Sequence, residues 1–265
     1  MSNDYRLAYG AHASPDDGRC AMEWVSYLAG EPHSDQPRCV SPVMRAFCIA
    51  LNDGLEESPR QRLRPYLART IGTAGDGIDA TRAWLALDWL IRTHTPTWLA
   101  AAGLHDGAGW LRSLARFDTA AQLPEALAVL ERARADATDA SGHRTITWRA
   151  TAVAVRAAAR EAAWSTPAAA AWAAARLGIG ELAADRARAL ARTVATEAAT
   201  RAARDAASSV KGRAAAKRAA RAALEPTVRE LERSAFELLD QLLPTVALGL
   251  PTDAGAPPSR VVARA

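Results

Sequence analysis

Hydrophobic and polar residues follow one another along much of this chain at the three- and four-residue spacing of a helix with one buried face. The spacing is regular after Ser41, whose hydroxyl is suited to cap a helix, and Pro42 is suited to the first helical turn. The apolar positions of this predicted helix are Val43, Met44, Phe47, Cys48 and Leu51. The pattern therefore predicts a helix that begins at Pro42 and buries this stripe.

A shorter apolar stretch at residues 20–29 comes before this helix, and Gly30 is well placed to end it. Its apolar residues are Met22, Trp24, Val25, Tyr27 and Leu28, which indicates a largely buried helix. The segment between the two helices contains Pro32 and Pro37, which disfavour helical geometry in the residues before them. The sequence thus predicts a helical hairpin with a polar loop at residues 31–38.

The most apolar segment covers residues 79–93, and we expect it to form a central helix. Its embedded acid, Asp88, lies four residues before Arg92, so that an ion pair is expected on one face of the helix. A further short helix is predicted to start at Thr95 and Pro96. No run of four or more residues alternates in the manner of a β-strand, and the predicted fold class is therefore all-α.

The composition of the chain changes near residue 119, after which alanine and arginine dominate. Alanine favours helix but buries little surface, so such helices must pack closely over a long contact, as in a bundle or a long hairpin. We expect long helices at residues 147–175, 181–208 and 210–224, with a break or kink at Thr166-Pro167 and a last amphipathic helix that starts at Pro226.

These patterns predict two domains and a tail. Residues 1–118 form a predicted compact helical domain, and residues 119–244 a predicted Ala/Arg-rich helical bundle. Residues 245–265 are rich in Pro, Gly and Ala, which favours disorder.

Composition places the chain among globular proteins, since 49% of its 265 residues are hydrophobic and 23% are charged. Three scattered cysteines do not make a disulfide framework, and no basic segment followed by an apolar one opens the chain, so we expect a cytoplasmic protein. No apolar run approaches the ~20 residues of a membrane span, and no membrane association is expected.

The hairpin loop and the helix before it contain most of the chemically versatile side chains. The candidate polar site consists of Cys20, Glu23, Glu31, His33, Asp35 and Cys39. Cys20, Glu23, His33 and Cys39 would make a plausible zinc ligand set, with zinc as the possible cofactor, although no paired-cysteine or paired-histidine motif supports it. The alternative is a structural loop in which cysteines are small core residues and the carboxylates cap backbone N–H groups.

A second candidate site is basic. Residues 201–221 contain seven Lys or Arg side chains and a single acid, Asp205. On one helical face they place Lys211, Arg213, Lys217, Arg218 and Arg221, which could contact nucleic-acid phosphates. No aromatic residues interleave with these charges, so a solvated helix face is the competing interpretation.

The N-terminal hundred residues resemble a family of uncharacterised proteins from actinobacteria and related high-GC genomes. The residues that carry this resemblance are Gly18–Glu23 (GRCAME), Leu28–Asp35 (LAGEPHSD), Pro37, Cys39, Pro42, Asn52-Asp53, Arg62–Leu67 (RLRPYL) and Ile71–Thr73 (IGT). An Ala/Trp/Arg-rich tail like residues 148–224 often follows in that family. The resemblance supports the predicted domain boundary and the predicted loop at residues 31–38. It implies no particular reaction.

Taken together, these features favour a non-catalytic protein-interaction or assembly module, with a protein partner or self-association as the expected binding mode. One alternative is an enzyme or metal-binding protein that uses the Cys20–Cys39 loop. Another is nucleic-acid binding through residues 201–221. The sequence leaves open whether the protein is an enzyme.

Overall fold

The computed structural model describes residues 5–141, 150–179, 181–208 and 210–244. Within these ranges the chain is predominantly helical and contains no β-strand, which confirms the predicted all-α class. The helices are α1 (Ala21–Leu28), α2 (Pro42–Gly54), α3 (Glu57–Arg60), α4 (Arg64–Thr70), α5 (Asp79–Trp89), α6 (Thr95–Ala101), α7 (His105–Ser113), α8 (Leu123–Ala140), α9 (Ala150–Ala163), α10 (Thr166–Ile179), α11 (Glu181–Ser208) and α12 (Arg213–Leu242). None of these helices is both long enough and apolar enough to cross a membrane.

The predicted hairpin is present as α1 and α2. The hydroxyl of Ser41 accepts hydrogen bonds from the backbone N–H groups of Val43 and Met44, at 3.2 and 3.3 Å, and so caps α2 as expected. Gly30 follows the end of α1 with a φ of +70°, a backbone conformation that glycine adopts without steric cost. These local signals positioned both helices to within about one residue.

The central helix is longer than predicted, because α5 continues through a π-helical turn at Leu90–His94 directly into α6. The hydroxyl of Thr95 donates a 2.8 Å hydrogen bond to the carbonyl of Leu90 beside Pro96, which has no N–H of its own. The wider turn thus lets the helix pass a proline that the sequence pattern interprets as a new start. The expected ion pair between Arg92 and Asp88 is present at 3.1 Å.

The alanine-rich region follows the prediction in part. The break before Pro167 separates α9 from α10, and α11 has the expected bounds. However, α12 runs without interruption through Pro226, which corrects the prediction that a new helix starts there. Pro226 and Ala222 are both exposed, so the carbonyl that loses its N–H donor lies on the solvent side of the helix.

One hydrophobic core extends across residue 118 and includes side chains from both predicted domains, such as Phe47 and Leu239. Helix α10 packs against α2 and α5, whereas α11 packs against α6, α8 and α9. The alanine-rich helices α8, α9, α11 and α12 also pack against one another, so a helical bundle is present and shares its core with the N-terminal helices. The predicted tail, residues 245–265, lies outside the described residues.

A buried arginine joins the two ends of this core. The side chain of Arg82 in α5 is 1% exposed and forms ion pairs with Asp76 at 2.5 Å and with Asp79 at 3.0 Å. Its Nε also donates a 2.8 Å hydrogen bond to the carbonyl of Leu242 at the end of α12. A buried guanidinium needs partners of this kind, so Arg82 ties the last helix to the N-terminal half.

Candidate functional site

Glu23 lies at the centre of the predicted polar site. Its Oε2 atom accepts a 2.7 Å hydrogen bond from the backbone N–H of Cys20, while the Cys20 sulfur receives the N–H of Glu23 in return. This reciprocal pair is a capping box, which satisfies donors that a helix start leaves unpaired. The Glu23 side chain is only 1% exposed, so its position is fixed by α1 and by the groups around it.

Two histidines from different segments face this carboxylate. His12 donates its backbone N–H to Oε1 at 2.6 Å, and its ring Nδ1 lies 2.8 Å from Oε2. The Nε2 atom of His33 lies 3.6 Å from Oε1 and 3.1 Å from the carbonyl oxygen of His12. Burial alone raises the pKa of Glu23, but the hydrogen bonds from His12 and Cys20 outweigh it and hold the pKa below its ordinary value.

The structure therefore brings Cys20, Glu23 and His33 together and adds His12, which the sequence analysis did not single out. His12 lies in a polar segment without helical spacing, and no periodic signal marks it. Both oxygens of Glu23 already accept hydrogen bonds from backbone amides, so that the carboxylate joins the N-terminal segment, α1 and the loop. This arrangement stabilises the loop and leaves the carboxylate little capacity to bind anything else.

Cys39 and Glu31 lie in a different part of the same loop. The carboxylate of Glu31 accepts hydrogen bonds from the backbone N–H groups of Arg38 at 2.7 Å and of Cys39 at 2.9 Å. Asp35 is partly buried in this loop. Glu31 therefore has the structural capping role that the alternative interpretation of the loop gave it.

The cysteines are poorly suited to nucleophilic chemistry. Burial raises the pKa of the Cys20 thiol to about 12. Burial, together with the neighbouring Glu31 carboxylate, raises the pKa of the Cys39 thiol to about 11. A thiol with such a pKa is protonated near neutral pH, whereas the thiolate is the reactive and metal-binding form.

The four predicted zinc ligands are not arranged as a metal site. Among the described residues, no three His, Cys, Asp or Glu side chains form a group that could hold a metal ion. Glu23 is saturated by hydrogen bonds from His12 and Cys20, while Cys39 is engaged with Glu31. The loop uses these side chains to fix its own backbone.

The basic candidate site is partly occupied by intramolecular contacts. Lys217 and Arg221 both bind Glu161 of α9, at 2.7 and 2.6 Å, and their hydrogen bonds hold the pKa of Glu161 below its ordinary value. Arg201 donates to the carbonyl of Ala102 at 2.8 Å, at the end of α6. The side chains of Lys211, Arg213 and Arg218 are exposed. The predicted phosphate-binding set is therefore reduced to these three.

A different surface combines aromatic rings with arginines. We name it the aromatic–arginine surface and define it as Tyr5, Arg19, Trp24, Tyr27 and Arg64. The Trp24 ring lies 4.1 Å from that of Tyr5 and 5.5 Å from that of Tyr27, between ring centroids. The guanidinium of Arg19 lies 4.9 Å from the Trp24 ring and 5.0 Å from the Tyr27 ring, and that of Arg64 lies 4.5 Å from the Tyr5 ring.

Most of α1 is buried as predicted, but its last two residues are exposed. Tyr27 is 59% exposed and Leu28 is 45% exposed, because α1 packs against α2 and α4 on its other side. The three-residue step from Trp24 to Tyr27 places both rings on one helix face, and this spacing was the signal available in the sequence. For Tyr27 and Leu28, the prediction of burial from apolar character is therefore wrong.

Within the described part of the chain, the side chain of Arg19 makes no hydrogen bond or ion pair, and its Nε atom is covered without an acceptor. Neighbouring arginines differ from it in this respect. Arg6 pairs with Glu57 at 2.9 Å, and Arg60 donates to the carbonyls of Asn52 and Leu55. The guanidinium of Arg19 thus contacts two aromatic rings and has no acidic partner among the described residues.

Comparison with models of known protein families, with curated proteins and with solved structures finds no match. The resemblance of the N-terminal region to actinobacterial proteins therefore stays a prediction.

Proposed function

We propose that this protein is a non-catalytic interaction module that binds a protein partner through the aromatic–arginine surface. The observation that carries this proposal is the position of the Arg19 guanidinium beside two rings on an exposed helix face. Tyr, Trp and Arg are the residues most enriched among those that dominate protein–protein binding energies. Their concentration on one surface therefore favours a role in binding.

The rings are held in place before any partner arrives. The indole Nε1 of Trp24 donates a 3.3 Å hydrogen bond to the carbonyl of Arg6, and the Tyr5 ring packs against the indole. Side chains that are already ordered lose less conformational entropy on binding. This order supports a role in recognition, because exposed Tyr27 and Leu28 add apolar surface that a partner can bury.

The alternatives have less support from the described residues. A catalytic or metal-dependent role for the Cys20–Cys39 loop needs a reactive thiol or an available carboxylate. The carboxylate of Glu23 already accepts hydrogen bonds, and the raised pKa values of the Cys20 and Cys39 thiols keep both protonated near neutral pH. Nucleic-acid binding through residues 201–221 loses Lys217, Arg221 and Arg201 to intramolecular contacts. The interaction role depends on neither the Cys20–Cys39 loop nor the basic residues of 201–221.

Site-specific photo-crosslinking tests the proposal. A photoreactive phenylalanine analogue replaces Tyr27 in one variant and Val153 in a matched control, which is 41% exposed on α9. In cells that naturally express the protein, we expect a discrete protein adduct from position 27 and none from position 153. The adduct is identified by mass spectrometry, and its partner is then expressed and purified.

Binding of the purified partner completes the test. Trp24→Ala should weaken the affinity by about tenfold or more, since large interface aromatics commonly contribute over 1–2 kcal/mol. The equivalent control, Val153→Ala, should leave the affinity unchanged. Equal crosslinking at positions 27 and 153, or an affinity that is insensitive to Trp24→Ala, would overturn the proposal.

A further inference from the structure

We infer that the partner presents carboxylate side chains to this surface and that Arg19 binds them. This inference rests on the proposed function and adds the chemistry of the partner. Its starting point is the contrast between Arg19 and two arginines of the central helix. Arg82 pairs with Asp76 and Asp79, and Arg92 pairs with Asp88, whereas no acid or carbonyl of the described residues binds Arg19.

The aromatic rings contact the guanidinium of Arg19 but do not satisfy the N–H groups at its edge. The two rings beside it are nearly perpendicular, at 88°, and the guanidinium centre lies about equally far from both. Rings that pack near a guanidinium attract its positive charge but cannot accept its in-plane N–H groups well. A carboxylate matches that planar fork with two parallel hydrogen bonds. The aromatic contacts therefore position Arg19 for a carboxylate supplied from outside.

Three acidic side chains in the neighbouring segments already have partners. Glu57 pairs with Arg6, and Asp17 accepts a 2.9 Å hydrogen bond from the hydroxyl of Ser14. Glu23 is buried, and its two oxygens already accept backbone N–H groups. The surface thus presents the positive charge of Arg19 beside aromatic rings, which favours an acidic partner and disfavours a second copy of the same surface.

Phosphates also bind guanidinium groups, so a nucleic-acid strand is the strongest competitor. Such a strand needs a track of positive charges with successive rings for stacking. This surface offers the guanidinium of Arg19 beside a compact group of three rings, next to the exposed aliphatic side chain of Leu28. A short acidic protein segment with apolar residues fits that arrangement better.

The experiment uses the full chain, tagged at its C-terminus to keep Tyr5 free, and follows the indole N–H signal of Trp24 by NMR. The probes are a decapeptide of alternating glutamate and leucine, the matched glutamine–leucine decapeptide, and single-stranded (dT)10. We expect the glutamate peptide to bind at least about tenfold more tightly than the glutamine peptide, as for other hydrogen bonds between charged groups.

Variants assign the effect to the guanidinium. Arg19→Ala should weaken binding of the glutamate peptide by about tenfold or more, and Arg19→Lys by at least about threefold, because lysine keeps the charge but loses the planar fork. Arg218→Ala, which removes an exposed arginine from α12, is the control and should have no effect. Unfolding curves for each variant confirm that all are equally folded.

Three results would overturn the inference: equal binding of the glutamate and glutamine peptides, no effect of Arg19→Ala, or tighter Arg19-dependent binding of (dT)10. These results are distinguishable from failure of the proposed function. If the crosslink from position 27 still captures a partner whose binding needs Trp24 but none of its own acids, the interaction role holds and the acidic partner is excluded. If no crosslink forms, the interaction role itself fails.

Discussion

The ring Nδ1 of His12 lies 2.8 Å from the Oε2 atom of Glu23, although the two residues belong to segments with different local structure. His12 lies in an irregular N-terminal segment, and Glu23 lies in the first turn of α1. The same carboxylate also accepts the backbone N–H groups of His12 and Cys20. Glu23 therefore fixes the path of the N-terminal segment across the start of α1.

This relationship predicts that Glu23→Gln is strongly destabilising. An amide has one acceptor oxygen where the carboxylate has two, so at least one backbone N–H would face the NH2 group. Leaving a buried donor without an acceptor should lower the free energy of unfolding by about 2–3 kcal/mol. Urea denaturation at pH 7 measures this value.

Glu237→Gln is the matched control, because Glu237 is exposed on α12 and should change stability by less than about 0.5 kcal/mol. The pKa of Glu23 is lowered in the folded protein, so its contribution is present above the unfolded-state pKa and disappears as the pH falls through the folded-state pKa. The wild type and Glu23→Gln should therefore converge in stability in acid. Equal stability at pH 7 would contradict the role assigned to this carboxylate.

His94 predicts a second, separate pH dependence. Burial lowers the pKa of this fully buried residue to about 4, and its ring packs between those of Trp89 and Trp164. Between pH ~6.5 and ~4 the unfolded chain binds a proton that the folded protein does not, so stability falls as the pH falls. The loss from this group should total about 3 kcal/mol over that interval.

Urea unfolding at several pH values between 7 and 4 measures the slope. His94→Gln removes the titrating group but retains an acceptor for the indole N–H of Trp98, which lies 3.3 Å from His94 Nε2. We expect the variant to show a shallower decline with decreasing pH than the wild type. Identical slopes in the two proteins would mean that His94 does not titrate differently in the folded and unfolded chains.

The sequence predicted best the features that depend on neighbouring residues. The cap at Ser41, the Asp88–Arg92 pair and the break before Pro167 each depend on a few consecutive positions, and all three are present. The bond from Arg82 to the carbonyl of Leu242 spans 160 residues, and no local pattern encodes it. No local pattern encodes the contact between His12 and Glu23 either, so the sequence does not predict it.

Burial along the alanine-rich helices was harder to predict, because alanine stripes do not specify which neighbour they contact. The pattern favoured a separate bundle, whereas α10 lies against α2 and α5 of the N-terminal region. Close approach at these contacts depends on glycine. A Cβ on Gly54 would lie 2.8 Å from the Cβ of Thr166, and one on Gly178 would lie 2.6 Å from the Cβ of Ala83.

We therefore predict that Gly54→Ala and Gly178→Ala are destabilising. Replacing glycine by alanine inside a helix ordinarily stabilises a protein by about 0.5–1 kcal/mol. At these two positions the added methyl group would overlap an atom close to a neighbouring helix backbone, and overpacking of this kind costs about 1–3 kcal/mol. Thermal or urea unfolding should show lower stability for both variants.

Gly109 in α7 provides the control, because a Cβ there would meet no atom within 4 Å. Gly109→Ala should raise the free energy of unfolding by up to about 1 kcal/mol. The opposite signs are the essential result. Stabilisation by Gly178→Ala would mean that α10 does not approach α5 as closely as the structure has it.

The last prediction concerns the basic face of α12, where Lys217 and Arg221 share Glu161 as a partner. Reversing both to glutamate places three acids together and should lower stability by about 1–2 kcal/mol, since each partly exposed pair contributes up to about 1 kcal/mol. Glu161→Lys should restore part of the loss in the reversed protein. Reversing Arg213 and Arg218, for which the described residues provide no acidic partner, should change stability by less than about 0.5 kcal/mol.

Gel-shift titration of duplex DNA with increasing salt then separates a solvated face from a binding face. Each phosphate contact contributes about −0.9 to the slope of log affinity against log salt. With Lys217 and Arg221 held by Glu161, we expect weak binding that disappears by physiological salt and that depends equally on Arg213 and Arg218. Binding that persists at physiological salt and is abolished by Arg213→Glu with Arg218→Glu, in a protein of unchanged stability, would instead assign this face to nucleic acid.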